Sequence, residues 1–190
     1  MNNFEEVVKE VKEVIKKSPV NSDLRHAELT LEWVLKLKPD ADEALQIAAI
    51  SHDIDRGATG ITGKDIKGAM GYSEYKKQHA IRSDEFICEI LERREYPKGV
   101  VNKVKNLVEA HEVGGEYESD ILKDADSIAY FEYNIPEYLK RNGEEWTKEK
   151  IKFMYKRMSP EAKRIVTMIK YGDEAIEELV RNIINQLNPE

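Results

Sequence analysis

Apolar residues recur at intervals of three and four along almost the whole chain, and this spacing is the strongest constraint on its fold. Val8, Val11 and Ile15 show it near the N-terminus, and Val101 and Val104 show it again in the middle of the chain. Three and four is the period of an α-helix, whereas a half-buried strand alternates apolar and polar side chains. No segment alternates convincingly. We therefore predict an all-α bundle of about seven to nine helices.

Proline, glycine and short polar clusters interrupt this helical pattern. Helices are predicted over residues 3–17, 22–38, 42–53, 73–92, 97–113, 119–135, 136–141, 147–170 with a break at "SPE", and 173–187. The glycine-rich stretch "RGATGITGKDIKGAMG", residues 56–71, is predicted to be a loop with at most one short turn. It lacks the spacing of a phosphate-binding loop, so it is either a lid beside a functional site or a simple connector.

Composition narrows the class of protein. A chain of 190 residues is long enough for one domain, predicted over residues 1–190, and rather short for two. The net charge of -7 argues against a nucleic-acid or membrane-surface partner, because such proteins normally carry a clustered basic face. No run approaches the roughly 18 apolar residues of a membrane span. The single cysteine, Cys88, excludes an internal disulfide and favours the reducing cytoplasm. Homo-oligomerisation stays open.

All four histidines fall on apolar helix faces, each on a different predicted helix. A single buried histidine is more often a core residue bonded to a backbone carbonyl than a metal ligand. That interpretation weakens when all four share the placement and none lies on the charged surface. The four are His26, His52, His79 and His111.

Two aspartates occupy similar positions. Asp126 shares its helix face with Leu122 and Ala129, and Asp53 directly follows His52 at the end of an apolar helix. A buried carboxylate is costly unless it is paired, and a divalent metal would pair with both aspartates while it takes neutral imidazole nitrogens. The alternative is that each aspartate caps a helix or pairs with a lysine.

The order of these residues resembles the HD superfamily of metal-dependent phosphohydrolases, over about residues 20–135. The pattern is His26, then "HD" at 52–53, then "ADSIAY" at 125–130. The resemblance implies an HD-domain-like helical bundle, with flanking N- and C-terminal helices. It implies a metal bound by His26, His52, Asp53 and Asp126, with Asp124 as a neighbouring group or an alternative ligand. "YKKQHAIRSDEF" and "LKDADSIAYFE" are similar to a small HD subfamily without an assigned activity.

His79 and His111 lie between "HD" and the last aspartate, which is the arrangement of HD members with two metals. In those members the counterpart of Asp53 bridges the two ions, whereas in others such histidines contact phosphate. The resemblance therefore implies one or two divalent transition metals. It does not distinguish Mn, Fe, Ni, Co, Zn and Mg.

This chain departs from the resemblance directly after the motif. Several HD hydrolases have "HDIGK", whereas this chain has "HDIDR", so Asp55 replaces a glycine and Arg56 replaces a lysine. Arg56 becomes a candidate to contact phosphate together with Arg25, Lys76 and Arg82, although each is also explained as a solvated surface charge. The resemblance leaves the general acid unassigned.

The activity implied is that of a metal-dependent phosphoric ester hydrolase. A hydroxide on the metal would attack phosphorus, with Asp53 and Arg56 as catalytic residues. The substrate and partner would be a small phosphorylated molecule, with a nucleotide as the first candidate. Two alternatives stay open: a di-iron oxygenase with the same His/Asp cage, and a non-catalytic module that senses a nucleotide.

Overall fold

The computed structural model describes residues 3–63 and 69–188. Every regular element within those ranges is helical, and the predicted all-α bundle is confirmed. The helices are α1 (Asn3–Ile15), α2 (Asp23–Leu37), α3 (Glu43–Ser51), α4 (Ile54–Thr59), α5 (Ala69–Arg93), α6 (Lys98–Ala110), α7 (Tyr117–Ala129), α8 (Ile135–Asn142), α9 (Glu144–Arg157), α10 (Pro160–Thr167) and α11 (Glu174–Leu187).

Short polar side chains begin several of these helices. The Asp42 side chain accepts a hydrogen bond from the Leu45 N–H at 3.0 Å, at the start of α3. The Ser159 side chain accepts one from the Ala162 N–H at 3.2 Å, at the start of α10. Each bond satisfies one of the backbone N–H groups that the first turn of a helix leaves without a partner.

The sequence predicts that one helix ends before Pro136, but the structure continues in helical conformation through this residue. A π-helical turn, Tyr130–Asn134, connects α7 directly to α8, and Pro136 lies in the first turn of α8. A proline lacks the N–H of an α-helical hydrogen bond, and the wider π turn directly before it changes the bonding pattern where that N–H is missing.

The predicted glycine-rich loop is wrong at both of its ends. Residues 56–59 belong to α4, and residues 69–71 begin α5, while residues 64–68 of the predicted loop lie outside the described residues. Gly57 is buried where α4 crosses α1. A Cβ atom there would overlap the Val14 carbonyl oxygen and come within 2.8 Å of the Ile15 Cα. Close packing of two helix backbones therefore explains this glycine better than chain flexibility does.

The core has two clusters of buried apolar side chains. The first is formed by α1 to α7, from Val7 to Ala125, and the second runs from Ile128 to α11. Trp33 and Leu37 of α2 pack against both clusters, so the two are in contact. The single domain over residues 1–190 stays a prediction. None of the described helices is both long enough and apolar enough to traverse a bilayer.

The packing of the first cluster brings the histidine-bearing helices together. Helix α2 packs against α3 and α7, and α6 packs against α3 and α5. Five segments therefore meet around the α3–α4 junction, which is where the "HD" motif lies.

Candidate metal centre

Two of the histidines lie directly after a helix and are fixed by its last turn. His52 follows α3, and its Nδ1 lies 2.9 Å from the Ala49 carbonyl oxygen. His111 follows α6, and its Nδ1 lies 2.6 Å from the Val108 carbonyl oxygen. A carbonyl oxygen only accepts hydrogen bonds, so Nδ1 donates in both cases. The lone pair of each neutral ring is then on Nε2.

The first group of candidate ligands is His26, His52 and Asp53, whose ligand atoms all lie within 4.8 Å of one another. The two histidine Nε2 atoms face each other at 3.3 Å. Asp126 joins this group, because its Oδ1 lies 3.0 Å from His26 Nε2 and 3.8 Å from His52 Nε2. These are the four residues that the HD resemblance implies as ligands of one metal.

The second group is Asp53, His79 and His111, again within 4.8 Å of one another. His79 Nε2 lies 2.6 Å from Asp53 Oδ1, and His79 Nδ1 is hydrogen-bonded to Asp55. Asp53 therefore belongs to both groups and lies between them.

These residues fit a metal ion by burial and by donor chemistry. The four histidine residues are at most 4% exposed, and the two aspartates are at most 7% exposed. Imidazole nitrogen with carboxylate oxygen is a donor set that first-row divalent metals take. His26 presents Nε2 to the first group, at 3.3 Å from His52 Nε2 and 3.0 Å from Asp126 Oδ1. The two groups could therefore hold a metal ion.

Two arginines pair with the carboxylates of the ligand groups. Arg56 Nη1 lies 2.6 Å from Asp53 Oδ2 and 3.1 Å from Asp23 Oδ1. Arg157 is paired with Asp126 Oδ2 and lies 2.9 Å from Glu112 Oε2. Asp126 thus contacts Arg157 through Oδ2 and His26 through Oδ1. Asp53 contacts His79 through Oδ1, while its Oδ2 contacts Arg56 and lies 3.8 Å from His52 Nε2.

The charges around the aspartates keep them ionised. Burial raises the pKa of Asp53, but attraction to Arg56, His52 and His79 outweighs burial and holds that pKa well below its usual range. Burial raises the pKa of Asp126 in the same way, and attraction to Arg157 and its bond to His26 bring it well below its usual range. Both carboxylates are thus available as anionic ligands.

The histidines of the second group differ in charge. Burial alone lowers the pKa of His79, but Asp53 and Asp55 reverse this effect and raise it to about 9. His111 has no such carboxylate pair, so burial lowers its pKa to about 4. His111 is therefore neutral near pH 7, whereas a proton and a metal would compete for His79 Nε2.

Of the basic residues predicted to contact phosphate, some lie beside the ligand groups and one does not. Arg82 donates two hydrogen bonds to Asp55 Oδ2, at 3.1 and 2.8 Å. Lys76 Nζ lies 3.0 Å from Glu112 Oε2, next to His111 in sequence. Arg25 is not brought into the cluster, because its Nη1 lies 2.7 Å from Glu32 and its side chain is 43% exposed.

Asp124 is also directed elsewhere, since its Oδ1 accepts a hydrogen bond from the Ser159 backbone N–H at 2.9 Å. Asp126, two residues later, is the aspartate that reaches the histidines.

Sequence reasoning missed three residues of this region. Asp55 was noted as a departure from the family pattern, but its position behind His79 was not predicted. Glu112 follows His111 directly, and a charged residue beside a candidate ligand was the only available signal. Arg157 lies on α9, 31 positions after Asp126. Only tertiary packing brings it to the site.

Charged side chains form the boundary between this buried cluster and solvent. Arg56 is 25% exposed, Lys76 is 16% exposed and Glu112 is 19% exposed, counted over their side chains. Two surface cavities lie elsewhere: one of 180 Å³ beside α1 and α4, and one of 790 Å³ between α6 and the start of α7. Neither cavity is lined by a residue of the two ligand groups.

Comparisons with curated proteins and with solved structures gave no match. A family model described as "Domain of unknown function (DUF4202)" matches residues 5–180. Because this match covers most of its length, the chain belongs to the DUF4202 family.

Proposed function

We propose that this protein is a metal-dependent phosphohydrolase of the HD superfamily, which acts on a small phosphorylated molecule such as a nucleotide. The observation that carries the proposal is the pair of buried ligand groups that share Asp53. His26, His52, Asp53 and Asp126 would hold one divalent metal. His79 and His111, with Asp53 as the bridge, would hold a second.

The charged surroundings favour a phosphoryl substrate over dioxygen. Arg56 contacts Oδ2 of Asp53, and Arg157 contacts Oδ2 of Asp126. Lys76 contacts Glu112, the residue that follows His111 of the second group. A phosphate ester is an anion that needs several donors around its oxygens, and guanidinium and ammonium groups supply them. Oxygen chemistry has no such requirement.

A bound divalent metal would supply Lewis acidity and lower the pKa of a coordinated water from about 15.7 toward neutrality. Asp53 would fix the orientation of the ligand groups, since it contacts His79 through one oxygen and Arg56 through the other. Arg56 is the partly exposed cation nearest Asp53, so it would bind a phosphoryl oxygen and stabilise charge that develops there. Asp55 would hold the His79 ring through Nδ1 and leave Nε2 as its ligand atom.

Metal content and phosphate release test the proposal together. The full chain is purified without chelators, and its metals are quantified by mass spectrometry. Phosphate release is then measured over a panel of nucleotides and sugar phosphates, before and after treatment with a chelator. We expect release that stops on chelation and returns with Mn²⁺. Asp53→Asn should abolish both binding and release, whereas Asp40→Asn should leave both intact because its side chain is 85% exposed.

Other outcomes would contradict the proposal. Iron with a visible absorption band and oxygen uptake would place the chain with the oxygenases. Tight nucleotide binding without turnover across the panel would make it a sensing module. If neither Asp53→Asn nor His52→Gln changes the metal content, the two ligand groups are not a metal centre.

A further inference from the structure

The cations near the ligand groups differ in whether a carboxylate already pairs with them. Arg56 contacts two aspartates, and Arg82 is bound to Asp55 through two hydrogen bonds. Arg157 contacts Asp126 and Glu112. Each of these cations is held in place and compensated within the protein.

Lys150 of α9 is different. It is half-buried, and no carboxylate of residues 3–63 or 69–188 lies within ion-pair distance of its ammonium group. Two aromatic rings lie near it, with Nζ 5.7 Å from the centre of the Tyr130 ring and 5.5 Å from that of the Phe153 ring. Burial lowers the pKa of Lys150, and the attraction of Glu112 opposes this only in part. Because no described carboxylate pairs with Lys150, an incoming anion would be its first ion-pair partner and would favour the protonated ammonium.

Lys150 is one of three cations grouped around one ring. Lys76 Nζ lies 3.4 Å from the centre of the Phe153 ring, and the Arg157 guanidinium carbon lies 5.4 Å from it. Lys150, Phe153 and Arg157 are spaced by three and four, so they share one face of α9. Lys76 approaches the same ring from α5. Phe153 is 39% exposed and Lys150 is half-buried, whereas the Lys76 and Arg157 side chains are 16% and 9% exposed, so the group reaches solvent mainly at Phe153 and Lys150.

The cationic group adjoins both ligand groups. Arg157 connects it to Asp126 of the first group. Glu112 connects it to the second group, since its Oε2 contacts Lys76 and its Oε1 lies 4.0 Å from His111 Nε2. The cations therefore contact Asp126 of the first group directly and reach His111 of the second group through Glu112.

We infer that Lys150, Lys76 and Arg157 form a subsite for a second phosphoryl group, so that the substrate carries at least two phosphoryl groups in succession. This inference rests on the proposed function, in which the metal centre takes the reacting phosphoryl group. A diphosphate or triphosphate fits the subsite, whereas a monoester leaves Lys150 without an anionic partner.

Binding of two stable phosphonates tests the subsite without turnover. Methylenediphosphonate carries two phosphoryl-like groups joined by carbon, and methylphosphonate carries one. Both are titrated by calorimetry into the full chain loaded with Mn²⁺, with free Mn²⁺ held constant. The wild-type protein should bind methylenediphosphonate at least about tenfold more tightly, as a charge-assisted contact contributes that much.

The variants assign this preference to Lys150. Lys150→Met keeps the apolar stem and removes the charge, and it should reduce the preference to less than about threefold. Lys150→Arg should retain most of the preference because it keeps the cation. Lys152→Met is the matched control: it makes the same change on the same helix, but Lys152 pairs with Glu149 at the surface. Metal chelation by methylenediphosphonate in solution is the same for all four proteins.

The inference is overturned if the wild-type protein shows no preference, or if Lys150→Met keeps it, or if Lys152→Met loses as much. Failure of the proposed function appears separately, as absence of phosphate release across the substrate panel. Preferential binding of methylenediphosphonate without any phosphate release would support the subsite and contradict the hydrolase function. Release from monoesters and diphosphates at equal kcat/KM, with no binding preference, would support the hydrolase function and contradict the subsite.

Discussion

The two ligand groups share Asp53 but hold their histidines in different ways. In the first group the buried Nδ1 of His26 has no hydrogen-bond partner among the described residues. In the second group Asp55 contacts Nδ1 of His79, and Arg82 in turn binds Asp55. A carboxylate behind a ligand imidazole fixes the ring and makes it more basic. Two ions bound here would therefore differ in affinity.

Asp55 is also where this chain departs from the "HDIGK" pattern. A glycine at that position cannot orient His79, so the departure adds a carboxylate on the second group's side alone. We therefore expect the second ion to depend on Asp55, and the first ion to depend on Asp126 and its contact with Arg157.

The largest expected effect comes from the residue that the two groups share. Asp53→Asn removes an anionic ligand from both positions, so we expect both metal equivalents to be lost. Metal content after dialysis against a chelator-free buffer measures this loss, and circular dichroism verifies that the variant folds. Retention of one equivalent would mean that Asp53 serves only one group.

Loss of a histidine should separate the groups. His79→Gln should weaken one equivalent by more than about a hundredfold, because loss of an outer partner alone costs about ten- to a hundredfold. The other equivalent should remain. His26→Gln should give the complementary result, and competitive titration with a chromogenic chelator measures both. If either variant loses both ions, the centre binds them as a single unit.

Much of this centre could be predicted from the sequence because its ligands lie on strongly periodic helices. His26, His52 and Asp126 lie on apolar helix faces, where a polar side chain needs a partner, and the structure brings them together. Lys150 and Arg157 could not be predicted as parts of this region, since charged residues lie all around the buried stripe of α9 and nothing in their spacing indicates which of them meet α5 and α7. Gly57 was misinterpreted because flexibility and close packing both call for glycine, and only the position of α1 distinguishes them.

A smaller effect is expected from Asp55. Asp55→Asn preserves the size of the side chain but removes the negative charge behind His79, so the second equivalent should bind about ten- to a hundredfold more weakly. The first equivalent should not change. Asp120→Asn is a suitable control, because Asp120 lies near the surface with a 48% exposed side chain. An equal loss at both positions would show that Asp55 supports the fold of the centre and not His79 in particular.

The smallest effect separates two arginines that the sequence treated alike. Arg25 pairs with Glu32 on the exposed face of α2, whereas Arg56 contacts Asp53 at the edge of the centre. In the described part of the chain, the Arg25 side chain pairs with no residue of the two ligand groups, so Arg25→Met should change kcat/KM for a phosphorylated substrate by less than about twofold. The exposed ion pair that is lost contributes only about 0.2 to 1 kcal/mol to folding. Arg56→Met should raise KM by about tenfold or more, since a charge-assisted contact to phosphate is lost. Steady-state kinetics on both variants measures the difference. An equal loss would place Arg25 in the substrate's path when substrate is bound, although its ion pair directs it away from the centre.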